Sequence, residues 1–152
     1  ISHVMPVDNE SDAIEYLNKI RAKYPDATHN VYAYVIDENN IFRYSDDGEP
    51  SGTAGMPVLD AIRKAGLVDV IVVVTRYFGG TLLGTGGLVH TYGASASKGL
   101  SALASALIPV IDPVMNPVWV FLFLGERPGW MSIIGAAVIL TAVSIKVLKS
   151  QR

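Results

Sequence analysis

The sequence contains no cysteine, which excludes disulfide bonds, thiolate nucleophiles and cysteine-based zinc sites. Its three histidines, His3, His29 and His90, include no pair at metal-binding spacing. Basic residues are not in excess, since the net charge is −2, so the composition does not predict a polyanionic partner. No basic stretch followed by an apolar run opens the chain, so a secretory signal peptide is not expected. Because the chain starts at Ile1 inside a strand-like pattern, we expect a further stretch to precede it.

Charged residues are scarce in the last third of the chain. Residues 99–152 contain four Lys or Arg and two Asp or Glu, whereas residues 1–98 contain eight and twelve and so have a net charge of −4. The later segment consists mostly of Ala, Val, Ile, Leu, Pro and Trp. This shift predicts two domains, with residues 1–98 in water and residues 99–152 in lipid or against a partner.

Residues 1–98 show alternating strand and helix patterns. A helix is predicted at residues 10–23 because Ala13, Ile14, Leu17 and Ile20 recur at helical spacing. The run VDVIVVVT at residues 68–75 is typical of a central strand covered on both faces. The other predicted elements are strands at 1–7, 31–36 and 41–44, a helix from Pro57 to Gly66, and a helix that begins near Gly87. The order β-α-β-β-α-β-α predicts an α+β sandwich, in which helices pack on a mixed sheet.

Residues 45–55, SDDGEPSGTAG, form a polar segment that we call the acidic loop. Its carboxylates Asp46, Asp47 and Glu49 lie within four positions and repel one another unless solvent, a cation or a basic group is near. They are therefore weak candidate ligands for a hard metal ion. Turn preferences favour the alternative, a solvated turn that caps the helix at Met56.

Residues 76–88, RYFGGTLLGTGGL, form a second segment that we call the glycine-rich loop. Glycines just before a helix can expose backbone N–H groups to a phosphate at the positive end of the helix dipole. The segment contains neither a Walker A motif nor a G-x-G-x-x-G fingerprint. The alternative is that the glycines serve only tight turns and close packing. Arg76 is the expected electrostatic partner of either the acidic loop or a phosphate.

His29 precedes a predicted strand and is expected to lie near the acidic loop. A hydrogen-bonded surface histidine is the commoner interpretation of such a residue, and a catalytic one the rarer. No Ser-His-Asp arrangement is assigned, because only geometry identifies one.

Several motifs of residues 1–98, taken together, resemble the IMPACT family, whose bacterial members include YigZ. They are ATHN at 27–30, YAY at 32–34, YSDDGEPSGTAG at 44–55, VTRYFGG at 74–80 and LGTGGLV at 83–89. The resemblance implies a fold like domain 2 of ribosomal protein S5. It also implies a role in translation regulation or the stress response. Eukaryotic relatives restrain the activation of an amino-acid-starvation kinase, and nucleic-acid or ribosome-associated binding is proposed for bacterial relatives.

The resemblance makes the two loops the expected contact surface for a translation-associated protein or RNA. The residues expected to bind this ligand or partner are His29, Asp46, Asp47, Glu49, Arg76, Tyr77, Gly79, Gly80, Gly84, Thr85, Gly86 and Gly87. No cofactor is predicted, and no catalytic residue is assigned.

Residues 99–152 are predicted to form a two-helix transmembrane hairpin. The apolar stretches 100–124 and 130–148 are each long enough to span a bilayer and flank a turn at 125–129. Lys98, Lys146, Lys149 and Arg152 would lie on one side, which the positive-inside tendency makes cytoplasmic. The competing interpretation is a soluble, very apolar C-terminal domain.

The same segment is similar to the last two helices of EamA-like drug/metabolite transporters. The likeness is carried by Leu-Gly-Glu at 124–126 and Ile-Gly-Ala at 134–136. Two helices cannot form the transport path of that family. We therefore predict membrane attachment through residues 100–148, and no transport by this chain alone.

Three functions remain open from the sequence. The first, which we favour, is a translation or stress-response binding module attached to the cytoplasmic membrane. The second is a metal-assisted enzyme that acts on a phosphorylated small molecule or nucleotide, with phosphate on the glycine-rich loop and a cation on the acidic loop. The third is a composite or truncated product without an integrated function.

Overall fold

The computed structural model describes residues 1–124 together with residues 134, 135, 138 and 141. Its strands are β1 (Ser2–Pro6), β2 (His29–Ile36), β3 (Ile41–Ser45) and β4 (Val70–Arg76), and its helices are α1 (Glu10–Lys23), α2 (Gly55–Lys64) and α3 (Gly84–Leu124). A single 3₁₀ turn, Glu38–Asn40, joins β2 to β3. The order of elements is the predicted one, and the α+β class is confirmed.

The four strands form one sheet in the order β1-β4-β2-β3. Every neighbouring pair is antiparallel, so the predicted mixed sheet is wrong. The crossover through α1 makes β1 and β2 run in the same direction. If these two strands were neighbours, their pairing would be parallel and the sheet would be mixed. Instead β4 lies between them and is antiparallel to both, as Val73 shows by standing opposite His3 on one side and Tyr32 on the other.

Helices cover both faces of the sheet, and β4 is buried on both. Val70, Val72 and Val74 face a core shared with α2 and α3, whereas Ile71 and Val73 face a core shared with α1. This confirms the predicted central strand and explains its unbroken apolar run. The helical residues that complete the two cores include Val58, Leu59 and Ile62 from α2, Leu88, Tyr92 and Ala96 from α3, and Ala13, Leu17 and Ile20 from α1. Each large aliphatic side chain buried in this way contributes about 1.5–3 kcal/mol.

Helix α1 has the bounds that its apolar spacing predicts. Asn9 caps it, because Asn9 Oδ1 accepts a hydrogen bond from the backbone N–H of Asp12 at 2.9 Å. The buried stripe contains Ala13, Leu17 and Ile20. Ile14 fits the same spacing but is exposed, so the buried face is narrower than the sequence pattern indicates.

Helix α3 begins at Gly84, earlier than the predicted start near Gly87, and runs on to Leu124. Gly84 has a φ of 70°, a left-handed conformation that favours glycine, and the chain turns into the helix there. The chain comprises two compact units, Ile1–Leu103 and Ala104–Arg152. In the second unit, residues 104–124, 134, 135, 138 and 141 are helical.

The second helix of the predicted transmembrane hairpin, residues 130–148, lies largely outside the described residues. Within the part of the chain that the structure describes, no helix combines the length and the apolar character needed to span a bilayer.

Candidate functional site

The acidic loop attaches to the start of α2 through Asp46. Oδ1 of Asp46 accepts hydrogen bonds from the N–H groups of Ala54 at 3.0 Å and Gly55 at 2.8 Å, and Oδ2 accepts one from Gly52 at 2.9 Å. Ala54 holds the N-cap position of α2 and has no side-chain acceptor of its own. Asp46 therefore caps this helix from a distance along the chain. The prediction that the loop caps the helix is confirmed.

The surroundings of Asp46 favour its ionised form. Partial burial raises the pKa of its carboxyl, but the backbone hydrogen bonds from Gly52, Gly55 and Ala54 together outweigh burial, and the net pKa is lowered. Both carboxylate oxygens are used by the protein itself, so this side chain serves the fold.

Asp47 connects the acidic loop to β2 and α1. Its Oδ2 accepts a hydrogen bond from the backbone N–H of Asn30 at 2.6 Å, and its Oδ1 accepts one from the guanidinium of Arg21 at 2.9 Å. Asn30 is buried, and its own Oδ1 accepts from the Thr75 hydroxyl at 2.8 Å. The Arg21 pair is partly exposed and contributes about 1 kcal/mol or less.

Glu49 joins the acidic loop to β4 and α3. Its side chain is only 5% exposed, and its Oε1 accepts a hydrogen bond from the Tyr92 hydroxyl at 2.8 Å and another from Nη1 of Arg76. Burial raises the pKa of the Tyr92 hydroxyl, and its hydrogen bond to Glu49 raises it further, so Tyr92 stays protonated as a donor. Arg76 was predicted to pair with either the acidic loop or a phosphate, and in the structure it pairs with Glu49 of the acidic loop.

His29 lies beside the carboxylate of Glu49, so its predicted position near the acidic loop is confirmed. Its Nδ1 is 2.8 Å from the carbonyl oxygen of Asp47, and its Nε2 is 3.7 Å from Oε1 of Glu49. Both ring nitrogens thus face oxygen atoms of the acidic loop. We call Glu49, Arg76, Tyr92 and His29 the Glu49 cluster; it joins the acidic loop, β4, α3 and β2.

The three carboxylates of the acidic loop do not converge on one point. Asp46 faces the start of α2, Asp47 faces Asn30 and Arg21, and Glu49 faces its cluster. Among the described residues, no group of three or more His, Asp or Glu side chains is arranged to hold a metal ion. Donors of the protein relieve the carboxylate repulsion, so the geometry gives no support to a divalent cation at this loop.

The glycine-rich loop presents apolar side chains to solvent. Phe78 is 49% exposed and Leu82 is 85% exposed, and Tyr77 and Leu83 are exposed as well. The candidate residues Gly79, Gly80, Gly84, Thr85 and Gly86 are also exposed. A Cβ at any of these four glycines would meet no atom within 4 Å.

Backbone conformation accounts for part of this glycine content. Gly80 and Gly84 have φ values of 84° and 70°, which favour glycine. Close packing applies at Gly87, where a Cβ would lie 3.1 Å from Cβ of Leu83. The alternative that the glycines serve tight turns and close packing is thus confirmed at particular positions: the turns at Gly80 and Gly84, and the packing at Gly87.

The base of the glycine-rich loop is attached to Thr28, the residue that precedes β2. The backbone N–H of Thr28 donates to the carbonyl oxygen of Arg76 at 3.0 Å, and Thr28 Oγ1 accepts from the N–H of Phe78 at 3.0 Å. The guanidinium carbon of Arg76 lies 5.8 Å from the centre of the Phe78 ring, within cation–π range. Arg76 therefore contacts Glu49 and Phe78 at once.

Sequence reasoning missed Tyr92, Arg21, Asn30 and Thr28 as parts of this site. Tyr92 falls in the helix predicted to begin near Gly87, and no role in the site is predicted for it from the sequence. The signal that distinguishes it is chemical, because a buried tyrosine hydroxyl usually has a hydrogen-bond partner. That rule predicts that a partner exists, but it does not identify Glu49.

Comparison with known proteins extends this description. Residues 1–100 match the family model described as the Impact N-terminal domain. The chain is 52% identical over 102 residues to the IMPACT family member YvyE of Bacillus subtilis (strain 168), covering 66% of this chain and 47% of that protein. It is 40% identical over 108 residues to the IMPACT family member YigZ of Escherichia coli (strain K12), covering 69% and 53%.

A crystal structure described as that of a hypothetical protein is similar in fold, with a TM-score of 0.63 and 40% sequence identity over 66% of this chain and 50% of that one. The chain spans about half the length of the curated relatives it matches. These comparisons support the resemblance predicted for the first hundred residues. They give no support to the EamA-like resemblance of residues 99–152.

Proposed function

This chain belongs to the IMPACT family, since its residues 1–100 match the Impact N-terminal domain, and we propose that its first unit is a regulatory module that binds a translation-associated protein. The observation that carries the proposal is the set of exposed apolar side chains on the glycine-rich loop, Tyr77, Phe78, Leu82 and Leu83. Clustered exposed apolar side chains mark interaction sites more often than isolated ones do.

Charge favours a protein partner over RNA. Residues 1–98 contain eight Lys or Arg against twelve Asp or Glu, and this net negative charge opposes binding to a phosphate backbone. Arg76, the cation of the glycine-rich loop, is already paired with Glu49. Exposed aromatic and aliphatic side chains instead suit the apolar centre of a protein interface.

The proposed contact surface includes the outer part of the acidic loop. Gly48 and residues 50–52 are exposed there, while Glu49 between them is directed inward. Because Glu49 contacts Arg76 at the start of the glycine-rich loop, the two loops form neighbouring parts of one surface.

The test is cosedimentation of the full chain with purified bacterial ribosomes. Phe78→Ala and Leu82→Ala are expected to raise the dissociation constant roughly tenfold or more, as for central interface residues. Phe42→Ala is the matched control, because Phe42 is 44% exposed but lies on β3. Equal binding by the Phe78 and Phe42 variants would contradict the proposed surface.

The salt dependence separates protein from RNA as the ribosomal partner. Binding through RNA phosphates weakens by about 10³–10⁵ between roughly 50 and 200 mM salt when several contacts form. Binding through apolar side chains is expected to change far less. A steep loss with salt would replace the protein partner with RNA.

We also propose that the apolar C-terminal segment attaches this module to the cytoplasmic membrane. Support comes from residues 99–152, which contain only four Lys or Arg and two Asp or Glu among mostly apolar side chains. The experiment is a carbonate wash of membranes from bacteria that express the full chain. Retention in the washed membrane is expected, and release into the soluble fraction would contradict attachment.

A further inference from the structure

We propose that Glu49 is a positioning residue for the glycine-rich loop. It holds the loop so that Phe78 and its neighbours keep the conformation that contacts the partner. This inference rests on the proposed function of that loop. The inference goes further by naming Glu49, a buried residue of the acidic loop, as the residue that sets the shape of the contact surface on the glycine-rich loop.

The first step is that Glu49 holds both ends of the glycine-rich loop through one atom. Its Oε1 accepts from Arg76, the first residue of the loop, and from Tyr92, one helical turn beyond the last. The chain between these two donors therefore starts and ends at a single carboxylate. His29 Nε2, 3.7 Å from the same oxygen, adds a third contact from β2.

The second step leads from the buried carboxylate to the surface. Arg76 contacts Glu49 and also lies under the ring of Phe78, 5.8 Å from its centre. The backbone of Phe78 is fixed separately by its hydrogen bond to Thr28 Oγ1. An exposed aromatic ring is thus supported from two sides before any partner arrives.

The third step concerns entropy. Two glycines, Gly79 and Gly80, lie between Phe78 and the start of α3, and glycine loses more conformational freedom on ordering than other residues do. Fixing both ends of such a segment reduces the entropy that binding would otherwise have to remove. The apparent affinity is proportional to the fraction of molecules that already hold the binding-competent conformation, so a smaller fraction gives weaker binding.

The experiment compares Tyr92→Phe with Tyr34→Phe in the full chain. Each change removes one hydroxyl and keeps the ring, and each tyrosine is buried and donates to a glutamate: Tyr92 to Glu49 at 2.8 Å, and Tyr34 to Glu10 at 2.5 Å on the α1 side of the sheet. Amide hydrogen exchange of residues 78–83 and the dissociation constant for purified ribosomes are measured for both variants.

Tyr92→Phe is expected to speed exchange of residues 78–83 by roughly tenfold, which is the size of one lost hydrogen bond to a charged group. It is expected to raise the dissociation constant for ribosomes by a similar factor. Tyr34→Phe changes neither quantity, although both variants lower the melting temperature, so a general loss of stability cannot produce the difference.

Two results would overturn the inference. One is loop exchange that does not differ between the two variants. The other is faster exchange in Tyr92→Phe with unaltered ribosome binding, which removes the positioning role. If the unaltered chain does not bind ribosomes, the proposed function fails in that form, and the exchange comparison alone decides whether Glu49 orders the loop.

Glu49→Gln provides an independent check. The amide oxygen of Gln still accepts from Tyr92 and Arg76, whereas Glu49→Ala offers no acceptor. Loop protection is expected to be partly restored in Glu49→Gln relative to Glu49→Ala. Equal loss in both variants would show that charge alone matters and that the hydrogen-bonded geometry does not position the loop.

Discussion

The hydroxyl of Tyr92 donates to Oε1 of Glu49 at 2.8 Å, across 43 residues of sequence. That oxygen also accepts from Arg76, so one buried atom receives donors from α3 and β4. Asp46 and Asp47 of the same loop contact α2, β2 and α1. The acidic loop therefore connects several elements of the fold, whereas the neighbouring glycine-rich loop exposes apolar side chains to solvent.

Removal of the Glu49 carboxylate should destabilise the first unit severely. In Glu49→Ala, Arg76 stays largely buried without its counter-charge and the Tyr92 hydroxyl loses its acceptor. We expect a loss of about 3–5 kcal/mol in the free energy of unfolding, measured by urea titration. Arg21→Ala, which breaks the more exposed pair with Asp47, should cost about 1 kcal/mol or less. Similar costs for the two variants would contradict the buried role of Glu49.

The same reasoning limits Arg76 as a probe of binding. Arg76→Ala leaves Glu49 buried without a charged partner. A binding defect in that variant would report damage to the fold as well as a lost contact. The exposed side chains of Phe78 and Leu82 are cleaner probes.

Asp46 should contribute both to stability and to its dependence on pH. Asp46→Ala removes the cap of α2 and is expected to cost about 1–2 kcal/mol. Because the folded-state pKa lies below the ordinary value of 3.8, the contribution is fully present above that value and is lost as pH falls through the folded pKa. Urea titrations from about pH 6 to pH 3 should show that the free energy of unfolding decreases less steeply toward low pH in Asp46→Asn than in the unaltered chain. Parallel curves would show that Asp46 is not the carboxylate responsible.

Local patterns predicted most of the secondary structure. The bounds of α1 and the burial of β4 on both faces followed from side-chain periodicity, which depends on neighbouring residues only. The pairing of strands did not follow in the same way. The sequence does not record that β4 inserts between β1 and β2, because that choice depends on contacts between distant segments.

The candidate site shows the same division. The two loops were recognised from their composition, and capping by the acidic loop was the favoured alternative. The sequence did not show which carboxylate has which partner. Asp47 meets Asn30 and Glu49 meets Tyr92 only after the sheet and α3 have assembled. Three adjacent acids thus suggested a shared cation, whereas folding separates them onto three different sets of donors.

Two glycines should respond to alanine with opposite signs. A Cβ at Gly55 would lie 2.7–3.0 Å from backbone atoms of Ser45, so Gly55→Ala must displace backbone and is expected to cost about 1–3 kcal/mol. Gly93 is inside α3, and a Cβ there would meet Pro57 at an ordinary 3.9 Å. Gly93→Ala should stabilise by about 0.5–1 kcal/mol, because alanine favours helix. Thermal unfolding of both variants tests the pair, and destabilisation by Gly93→Ala would show that α3 packs more closely than these distances indicate.

His3 should make the first unit less stable in mild acid. Its ring packs 5.0 Å from the ring of Tyr24, and its buried Nε2 has no hydrogen-bond partner among the described residues. Burial is the main cause that lowers the pKa of His3 below 6.5, and the positive charge of Lys23 lowers it further. The unfolded chain therefore binds more protons than the folded one at pH values between the folded pKa and 6.5, so stability decreases as pH falls through that interval. His3→Gln should reduce the slope of unfolding free energy against pH below about 6.5, whereas His90→Gln, at an exposed position of α3, serves as the control. An unchanged slope in His3→Gln would assign the acid sensitivity to other groups.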